Sequence, residues 1–286
     1  MSASAAGIAA AFTAACRDEV NALKPGNVHV FADGHRMQAA QFLSSAEVAA
    51  EPITAPGARI GLRILRAVEA TSAAVGTNTN LGIVLLCAPL AAAAEQHTSD
   101  LQAALSRLLR ATDVEDARLA FRAITLAAPG GLGHAERHDV RAPAAVPLAE
   151  AMAVAAHRDR IARQYVSAFE DVFVTGLDAF AGARRRGLDA EWTTSVVFLA
   201  FLAAFPDSHV VRKHGLAVAE DVRRLASTFD QRSKNEDPAH LMPELLAWDA
   251  ALKDRNINPG TSADLTVATL FVARLRNILP PAHNNG

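Results

Sequence analysis

The segment Gly76-Thr77-Asn78-Thr79-Asn80-Leu81-Gly82 separates two long apolar stretches, and it decides how the chain folds. Before it, apolar side chains recur at roughly helical spacing, at Ile60, Ile64, Leu65, Val68 and Val75. That spacing predicts a helix with one apolar face. After it, residues 83–90 are almost entirely apolar, which is typical of a helix buried on all sides. The sequence therefore predicts two buried helices joined by a polar turn.

The polar turn itself has two interpretations. Thr79 or Asn80 is a suitable N-cap for the second helix, and the two glycines tolerate turn dihedrals. A loop that opens into a helix also presents unpaired N–H groups and the positive end of the helix dipole, which suit a phosphate group. The capping turn is the commoner arrangement, and the spacing alone leaves both interpretations open.

Composition predicts an all-α protein. Of 286 residues, 51% are hydrophobic, many of them Ala, whereas aromatic residues make up 5% and there is one Tyr. Such a chain is rich in helix formers and poor in the residues that favour β-sheets. We expect a single multi-helix domain over residues 1–279, with a polar cleft lined by inter-helix loops, and a frayed tail over residues 280–286.

Charge and cysteine usage narrow the class of protein. The formal charge of −2 gives no global basic field, so nucleic acid and anionic lipid are not expected partners. Apolar windows are interrupted before the length of a bilayer span, and the N-terminus lacks the basic region of a signal peptide. Cys16 and Cys87 lie among apolar neighbours, as buried thiols in a reducing compartment do. We expect a cytoplasmic protein without a membrane partner, and a homodimer is left open.

Three further polar segments interrupt the predicted helices. Lys24-Pro25-Gly26-Asn27-Val28 ends the first helix, shortly after Glu19. Pro206-Asp207-Ser208-His209 follows a strongly apolar helix and is itself followed by Arg212 and Lys213, so an acid lies beside a cluster of cations. Asn258-Pro259-Gly260-Thr261-Ser262-Ala263-Asp264 leads into the last helix. Thr261-x-x-Asp264 fits a capping box, yet Asp264 shares a face with core residues, so cap and catalyst both stay open.

The long loop over residues 129–140 contains histidines and carboxylates, namely His134, Glu136, His138 and Asp139. A loop of this length in a compact domain is usually functional or disordered. No pair in it has the i,i+4 spacing of a helical zinc site, and the roles of these four residues stay open.

Taken in order, the four polar segments resemble triphosphoribosyl-dephospho-CoA synthases over about residues 16–275. The resemblance rests on Glu19 with Lys24-Pro25-Gly26-Asn27-Val28, Glu69 with the segment 77–82, the Pro206-Asp207-Ser208-His209 segment, and Asn258-Pro259-Gly260 with Ser262-Ala263-Asp264. It implies an all-helical enzyme that moves the triphosphoribosyl unit of ATP to the ribose 2′-hydroxyl of 3′-dephospho-CoA and releases adenine. Mg²⁺ bound with ATP is the implied cofactor.

The resemblance also implies site residues. A carboxylate is needed to accept the proton of the acceptor or to stabilise the oxocarbenium-like state, and hard oxygen ligands are needed for Mg²⁺. The candidate catalytic carboxylates are Glu19, Glu69, Asp207 and Asp264, of which Glu69, Asp207 and Asp264 are also candidate metal ligands. The candidate phosphate or nucleotide ligands are Lys24, Gly26, Asn27, Thr77, Asn78, Thr79, Asn80, Gly82, His209, Arg212, Lys213, Asn258, Gly260 and Ser262. We expect these loops to converge on one cleft.

The sequence departs from the family pattern in two places. The loop after the first motif is reduced to Asp33-Gly34-His35-Arg36-Met37, and Leu81 stands where the family often has Lys. These departures resemble a divergent branch found in archaea and methylotrophic bacteria, for which a role in making a one-carbon carrier cofactor of the methanopterin or methanofuran type is an alternative. A third hypothesis is a non-catalytic helical protein that binds a nucleotide or coenzyme.

Overall fold

In the computed structural model, the described part of the chain comprises residues 4–31, 38–130, 133 and 137–280. This part contains fourteen α-helices, a π-helical turn at Val172–Gly176 and no β-strand, which confirms the all-α prediction. The helices are α1 Ala5–Asn21, α2 Ala39–Ile53, α3 Ile60–Val75, α4 Leu81–Ala94, α5 Leu101–Arg110, α6 Val114–Ala127, α7 Leu148–Ala155, α8 Arg160–Ser167, α9 Leu177–Arg185, α10 Ala190–Ala204, α11 Ser208–His214, α12 Leu216–Ser233, α13 Pro238–Asp254 and α14 Gly260–Ile278.

The chain divides into two compact units. The first comprises the described residues within Met1–Ala15, Ser44–Glu170 and Phe271–Gly286, and the second those within Cys16–Leu43 and Asp171–Leu270. The single domain expected over residues 1–279 stays a prediction. The expected frayed tail, apart from Pro280, and the loop Asp33-Gly34-His35-Arg36-Met37 lie outside the described residues.

The first unit contains the helix pair that the sequence predicts. Helix α3 ends where Gly76 adopts a left-handed conformation at φ +68° and donates its N–H to Ser72 O, so a glycine at this C-terminal position is favourable. Helix α4 is buried over almost its whole length, as the unbroken apolar run indicates. The observed helix boundaries therefore follow the sequence pattern closely.

A proline inside α4 is compensated by the one tyrosine of the chain. Pro89 has no N–H, so Leu85 O lacks the usual partner four residues later. The hydroxyl of Tyr165, on α8, donates to Leu85 O at 2.7 Å. Burial raises the pKa of Tyr165, which keeps this hydroxyl protonated. Tyr165 thus satisfies a carbonyl that would otherwise be buried without a partner.

Helices α3 and α6 are joined by a shared cap. Asp113 caps α6, within a capping box completed by Asp116. The other oxygen of Asp116, Oδ1, accepts the N–H of Gly61 in the first turn of α3 at 2.8 Å. A Cβ on Gly61 would lie 2.5 Å from Asp116 O, so only glycine permits this approach. Thr98 is a suitable N-cap residue by type, but α5 begins later and Asp100 caps it.

The second unit has its own apolar core, to which α10, α12 and α13 contribute. Phe198, Leu202 and Val222 are buried there, and the rings of Phe229 and Trp248 stack with their centroids 5.2 Å apart. Helix α12 extends through the polar residues that follow Phe229 and ends at Ser233.

Within the described residues, no single helix is long and apolar enough to cross a membrane. The bent pair α10 and α11 reaches that length and composition only when its two helices are taken together.

Candidate functional site

Lys24, at the head of the first motif, is fully buried in the second unit. Its ammonium group lies 2.9 Å from Glu19 Oε1, 2.5 Å from Val28 O and 3.4 Å from Asn27 Oδ1. Burial lowers the pKa of Lys24 and raises the pKa of Glu19, and the charge of each partner opposes the shift of the other. The three N–H donors of the Lys24 ammonium group thus have three acceptors within the motif. This geometry counts against direct phosphate binding by Lys24.

Gly26 and Asn27 join the first motif to the fourth. Gly26 has φ +81°, and a Cβ there would lie 2.8 Å from Ile257 O, so the turn requires glycine. Its N–H donates to Asp249 Oδ1 at 2.8 Å. Asn27 Nδ2 donates to Asn258 Oδ1 at 2.8 Å, and both side chains are buried. The predicted nucleotide ligands Gly26, Asn27 and Asn258 thus form an interlocked pair of turns.

Asp207 joins the third motif to the fourth. Its Oδ1 accepts the N–H groups of His209 and Val210, and its Oδ2 accepts the N–H of Ser262 at 2.7 Å and the hydroxyl of Ser262 at 2.8 Å. Burial raises the pKa of Asp207, and these hydrogen bonds oppose the shift. A buried carboxylate with four donors on its two oxygens has no oxygen position left for a metal or a proton in transit.

The start of α14 corrects the capping box that the sequence suggested. The helix begins at Gly260, and its first bond runs from Ala263 N to Pro259 O, so Pro259 holds the N-cap position. Thr261 and Asp264 both lie inside the helix, and the box is therefore wrong. Thr261 Oγ1 instead contacts the Ser208 hydroxyl at 2.9 Å and accepts the N–H of His209.

The ring of His209 lies against Gly260. A Cβ at residue 260 would lie 2.4 Å from His209 Nδ1, so only glycine permits this contact between α11 and α14. Further along α11, Arg212 is half-buried and Lys213 is exposed. Partial desolvation of its ammonium group, and then the charge of Arg212, lower the pKa of Lys213 although the residue is exposed. Both cations are thus accessible to solvent.

Asp264 lies on α14 two residues after Ser262, which donates to Asp207. Burial raises the pKa of Cys16 on α1, and the charges of Glu19 and then Asp264 raise it further. Glu19 is buried, whereas Asp264 is half-buried. Of the four predicted catalytic carboxylates, Asp264 therefore combines partial exposure with a position beside the buried polar network.

Sequence reasoning missed a second charged cluster on the same turn. His29 Nε2 lies 3.2 Å from Asp249 Oδ1, and Lys253 Nζ lies 2.9 Å from Asp249 Oδ2 and 3.3 Å from His29 Nε2. Burial raises the pKa of Asp249, but hydrogen bonds from His29, Lys253 and the N–H of Gly26 outweigh burial, so the pKa is lowered. The i,i+4 pair Asp249 and Lys253 on α13 was the available signal.

The second motif lies in the first unit, and two of its side chains are used internally. Thr79 Oγ1 lies 2.6 Å from Ser45 Oγ, and Asn80 Nδ2 donates to Thr71 Oγ1 at 3.0 Å. Asn80 holds the N-cap position of α4, but its side chain makes no capping hydrogen bond. Asn78 supplies one instead, because its Oδ1 accepts the N–H of Leu81 at 3.1 Å. The turn therefore caps α4 through a residue other than the two that the sequence suggested.

The remaining predicted residues of this motif are accessible. Thr77 is exposed, and Asn78 and Gly82 are half-buried. Glu69 is exposed on α3, with its Oε1 3.8 Å from Nη2 of Arg122. An exposed carboxylate in a long ion pair is a weak candidate for a catalytic or metal-binding group.

Three of the four motifs thus come together in the second unit, and convergence of the second motif with them stays a prediction. Within the described residues, no group of three or more His, Cys, Asp or Glu side chains is arranged to hold a metal ion. His138 and Asp139 are among these residues, whereas His134 and Glu136 lie outside the described part of the chain.

Comparison with known proteins gives one consistent family. The model of the CitG family, described as ATP:dephospho-CoA triphosphoribosyl transferase, matches residues 5–281. A protein of Albidiferax ferrireducens described as a probable 2-(5''-triphosphoribosyl)-3'-dephosphocoenzyme-A synthase is 30% identical over 118 residues, which cover 40% of this chain and 37% of that protein. The chain thus matches little more than a third of that relative's length.

A solved structure supports the same fold. The crystal structure of an Archaeoglobus fulgidus protein, described as a putative triphosphoribosyl-dephospho-CoA synthase, superposes with a TM-score of 0.63 at 25% sequence identity. The superposition covers 81% of this chain and 97% of the archaeal chain.

Proposed function

Because this chain belongs to the CitG family of ATP:dephospho-CoA triphosphoribosyl transferases, we propose that it transfers the triphosphoribosyl group of ATP to the ribose 2′-hydroxyl of 3′-dephospho-CoA. The bond from C1′ to adenine breaks, a bond from C1′ to the 2′-oxygen forms, and the hydroxyl proton finally resides on the released adenine. The single observation that carries the proposal is the packing of three family motifs into one buried polar network, with the half-buried Asp264 two residues after the network residue Ser262.

In this proposal Asp264 is the catalytic carboxylate. It accepts the proton of the 2′-hydroxyl or stabilises the positive charge that develops on the ribose, as carboxylates do in glycoside cleavage. Glu19 adds negative charge close by, although its pairing with Lys24 suits a supporting role. Asp207 and Lys24 hold the surrounding turns and do not contact the substrates.

The triphosphate needs cations and N–H donors. Arg212 and Lys213 on α11 are the accessible cations of the second unit's motifs. The N-terminus of α4, with Gly82 in its first turn, offers N–H groups and the positive dipole end to an anion. We keep Thr77 and Asn78 as candidate phosphate contacts on the same grounds.

Mg²⁺ enters this proposal bound to ATP. A magnesium ion on a triphosphate commonly takes one or two protein carboxylates, with phosphate oxygens and water as the other ligands. The half-buried carboxylate of Asp264 can supply one such ligand. Among the described residues, no group of three or more His, Cys, Asp or Glu side chains could hold the ion without the phosphates. The ion would neutralise charge on the phosphates.

The direct test is incubation of the purified protein with ATP, Mg²⁺ and 3′-dephospho-CoA, followed by chromatography for free adenine. We expect adenine in proportion to acceptor consumed. Asp264→Asn should lower kcat/KM at least about a hundredfold, the scale of losing one electrostatic stabiliser. Because Asp264 lies beyond the first turn of α14, the melting temperature of the Asp264→Asn protein should differ from that of the wild type by no more than about 2–4 °C. Asp178→Asn, at an exposed carboxylate of α9, is the matched control with unchanged kinetics.

One observation favours a related acceptor as a second candidate. Leu81 is buried at the start of α4, at the position where the family resemblance implies Lys, so this turn brings no cation of its own to the donor or acceptor. A phosphorylated precursor of a one-carbon carrier cofactor would then replace dephospho-CoA. Adenine release with such an acceptor, and none with dephospho-CoA, would select this candidate. If the protein binds ATP tightly but releases no adenine with any of the acceptors, it is a non-catalytic binding protein.

A further inference from the structure

Asp207 connects the N-termini of two helices through one carboxylate. Its Oδ1 caps α11 by accepting from His209 and Val210, and its Oδ2 caps the first turn of α14 through Ser262. We infer that Asp207 is a positioning residue for the transferase reaction, which holds the catalytic Asp264 in place by clamping α14 to α11. The effect on catalysis rests on the proposed function, whereas the contact between α11 and α14 does not.

The clamp restrains α14 close to Asp264. Ser262 is two residues before Asp264 on the same helix, so a rotation or shift of the first turn would be passed directly to the Asp264 carboxylate. Two further contacts fix the same register: the hydroxyls of Ser208 and Thr261, and the ring of His209 against Gly260. All are contacts between α11 and α14, and α11 also carries Arg212.

Asp207 itself is poorly suited to touch a substrate. The residue is 1% exposed, and four N–H or O–H groups donate to its two oxygens. A side chain in this state can affect catalysis only through the groups it holds. Its carboxylate also occupies the positive end of α14, which removes that helix terminus as a phosphate site.

Asp116 in the first unit provides a matched structural control. Its Oδ2 accepts the N–H of Asp113 in the capping box of α6, and its Oδ1 accepts the N–H of Gly61 on α3. It is 6% exposed. Asp116 therefore holds two helices together in the same way as Asp207, but it belongs to none of the four motifs.

The kinetic test compares Asp207→Asn with Asp116→Asn. Each exchange places an NH₂ group or a weaker acceptor against N–H donors, so both variants should melt lower. Only Asp207→Asn should lower kcat, by on the order of a hundredfold, the scale for displacement of a reacting group by about 1 Å. Equal kinetic losses in the two variants, or none in Asp207→Asn, would overturn the inference.

A double variant separates positioning from general damage. If Asp207 acts through Asp264, adding Asp207→Asn to Asp264→Asn should lower kcat/KM by less than about a further twofold, although the stability loss remains. A full additional loss of about a hundredfold would mean that Asp207 acts independently of Asp264.

Hydrogen exchange tests the clamp without any activity. In Asp207→Asn, the amides of Ser262 and His209 should exchange faster relative to global unfolding, while those of Gly61 and α3 stay protected. In Asp116→Asn the pattern should be reversed. If the wild-type protein releases no adenine, the proposed function fails, and unchanged protection of Ser262 would reject the clamp separately.

Discussion

Two clusters of buried charge hold residues 24–29 in the second unit. The Glu19 and Lys24 pair is almost completely buried. The second cluster consists of Asp249, His29 and Lys253, and the N–H of Gly26 donates to Asp249. A buried charge is tolerated when it is paired and hydrogen-bonded, and it becomes costly when its partner is removed. The stability of this turn should therefore depend on pairing more than on either charge alone.

Removing one partner of the buried pair tests this dependence. Lys24→Met leaves Glu19 buried without its cation, and we expect a loss of about 3–5 kcal/mol in the free energy of unfolding. Adding Glu19→Gln should restore part of that loss, because the second change removes the uncompensated charge. Denaturant unfolding measures both. The control is Arg118→Met, which breaks the exposed pair with Glu115 and should leave the free energy of unfolding almost unchanged. An equally small loss in Lys24→Met would contradict the structural assignment.

His29 should make stability depend on pH. Burial lowers its pKa below the ordinary 6.5, and Lys253 and Lys24 add to this, while Asp249 opposes it. As pH falls through 6.5, the unfolded chain takes up a proton that the folded protein does not, so the free energy of unfolding decreases. The lowered pKa of Asp249 acts in the same direction below 3.8. The test is to measure denaturant midpoints at several pH values between 5 and 8. As the pH is lowered, the midpoint of the wild-type protein should decrease more than the midpoint of the His29→Gln protein.

At the scale of helices, side chains from distant parts of the sequence form hydrogen bonds with unpaired backbone groups of helices in both units. Asp207 and Asp116 each supply one carboxylate to two helix N-termini, and Tyr165 supplies a donor to the carbonyl that Pro89 leaves unpaired. Buried backbone groups without partners cost free energy, so such long-range bonds contribute to stability. They also fix which helices are neighbours.

Tyr165 and Pro89 form a testable pair. Tyr165→Phe should cost about 1–3 kcal/mol, because Leu85 O becomes a buried acceptor without a donor. Pro89→Ala restores an N–H four residues after Leu85, so the same tyrosine exchange should cost clearly less in the Pro89→Ala protein. A thermodynamic cycle of the four proteins measures the difference. Equal costs in both backgrounds would show that the hydroxyl is not needed to compensate for the proline.

The sequence indicated helices better than it indicated the partners of polar groups. The boundaries of α3 and α4 follow from local spacing and from Gly76, which are properties of neighbouring residues. The roles of Lys24 and Asp207 depend on partners that spacing alone does not identify. Lys24 is buried because Glu19 and Val28 fold back to it, and the key partner of Asp207 is Ser262, 55 residues away in sequence. Such bonds cannot be predicted from composition or periodicity.

In the whole molecule, each compact unit is assembled from stretches that are separated along the chain. The first unit takes residues from the N-terminus, the middle and the C-terminus, and the second takes the two stretches between them. Helices α1 and α14 each contribute residues to both units. A chain so divided has no single position at which a cut would release one complete unit.

Fragment expression tests this division. A fragment of residues 1–170 lacks the Phe271–Gly286 segment of its unit. The fully buried ring of Phe12 then loses its edge contact with Phe271, whose centroid lies 5.8 Å away, and Gly7 loses the neighbouring side chain of Ile278. Removal of one large core side chain already costs about 3–5 kcal/mol. Because small domains are stable by only about 5–15 kcal/mol, the fragment should show no cooperative thermal transition.

The control for this prediction keeps α14 whole. A chain that ends after Leu279 retains Phe271 and Ile278, so its melting temperature should stay within about 2–4 °C of the full-length value. Mixing the 1–170 fragment with a 171–286 fragment should restore a cooperative transition, because the missing segment is then supplied in trans. Cooperative melting of residues 1–170 alone, at the temperature of the intact protein, would mean that Phe271–Gly286 is dispensable for the first unit.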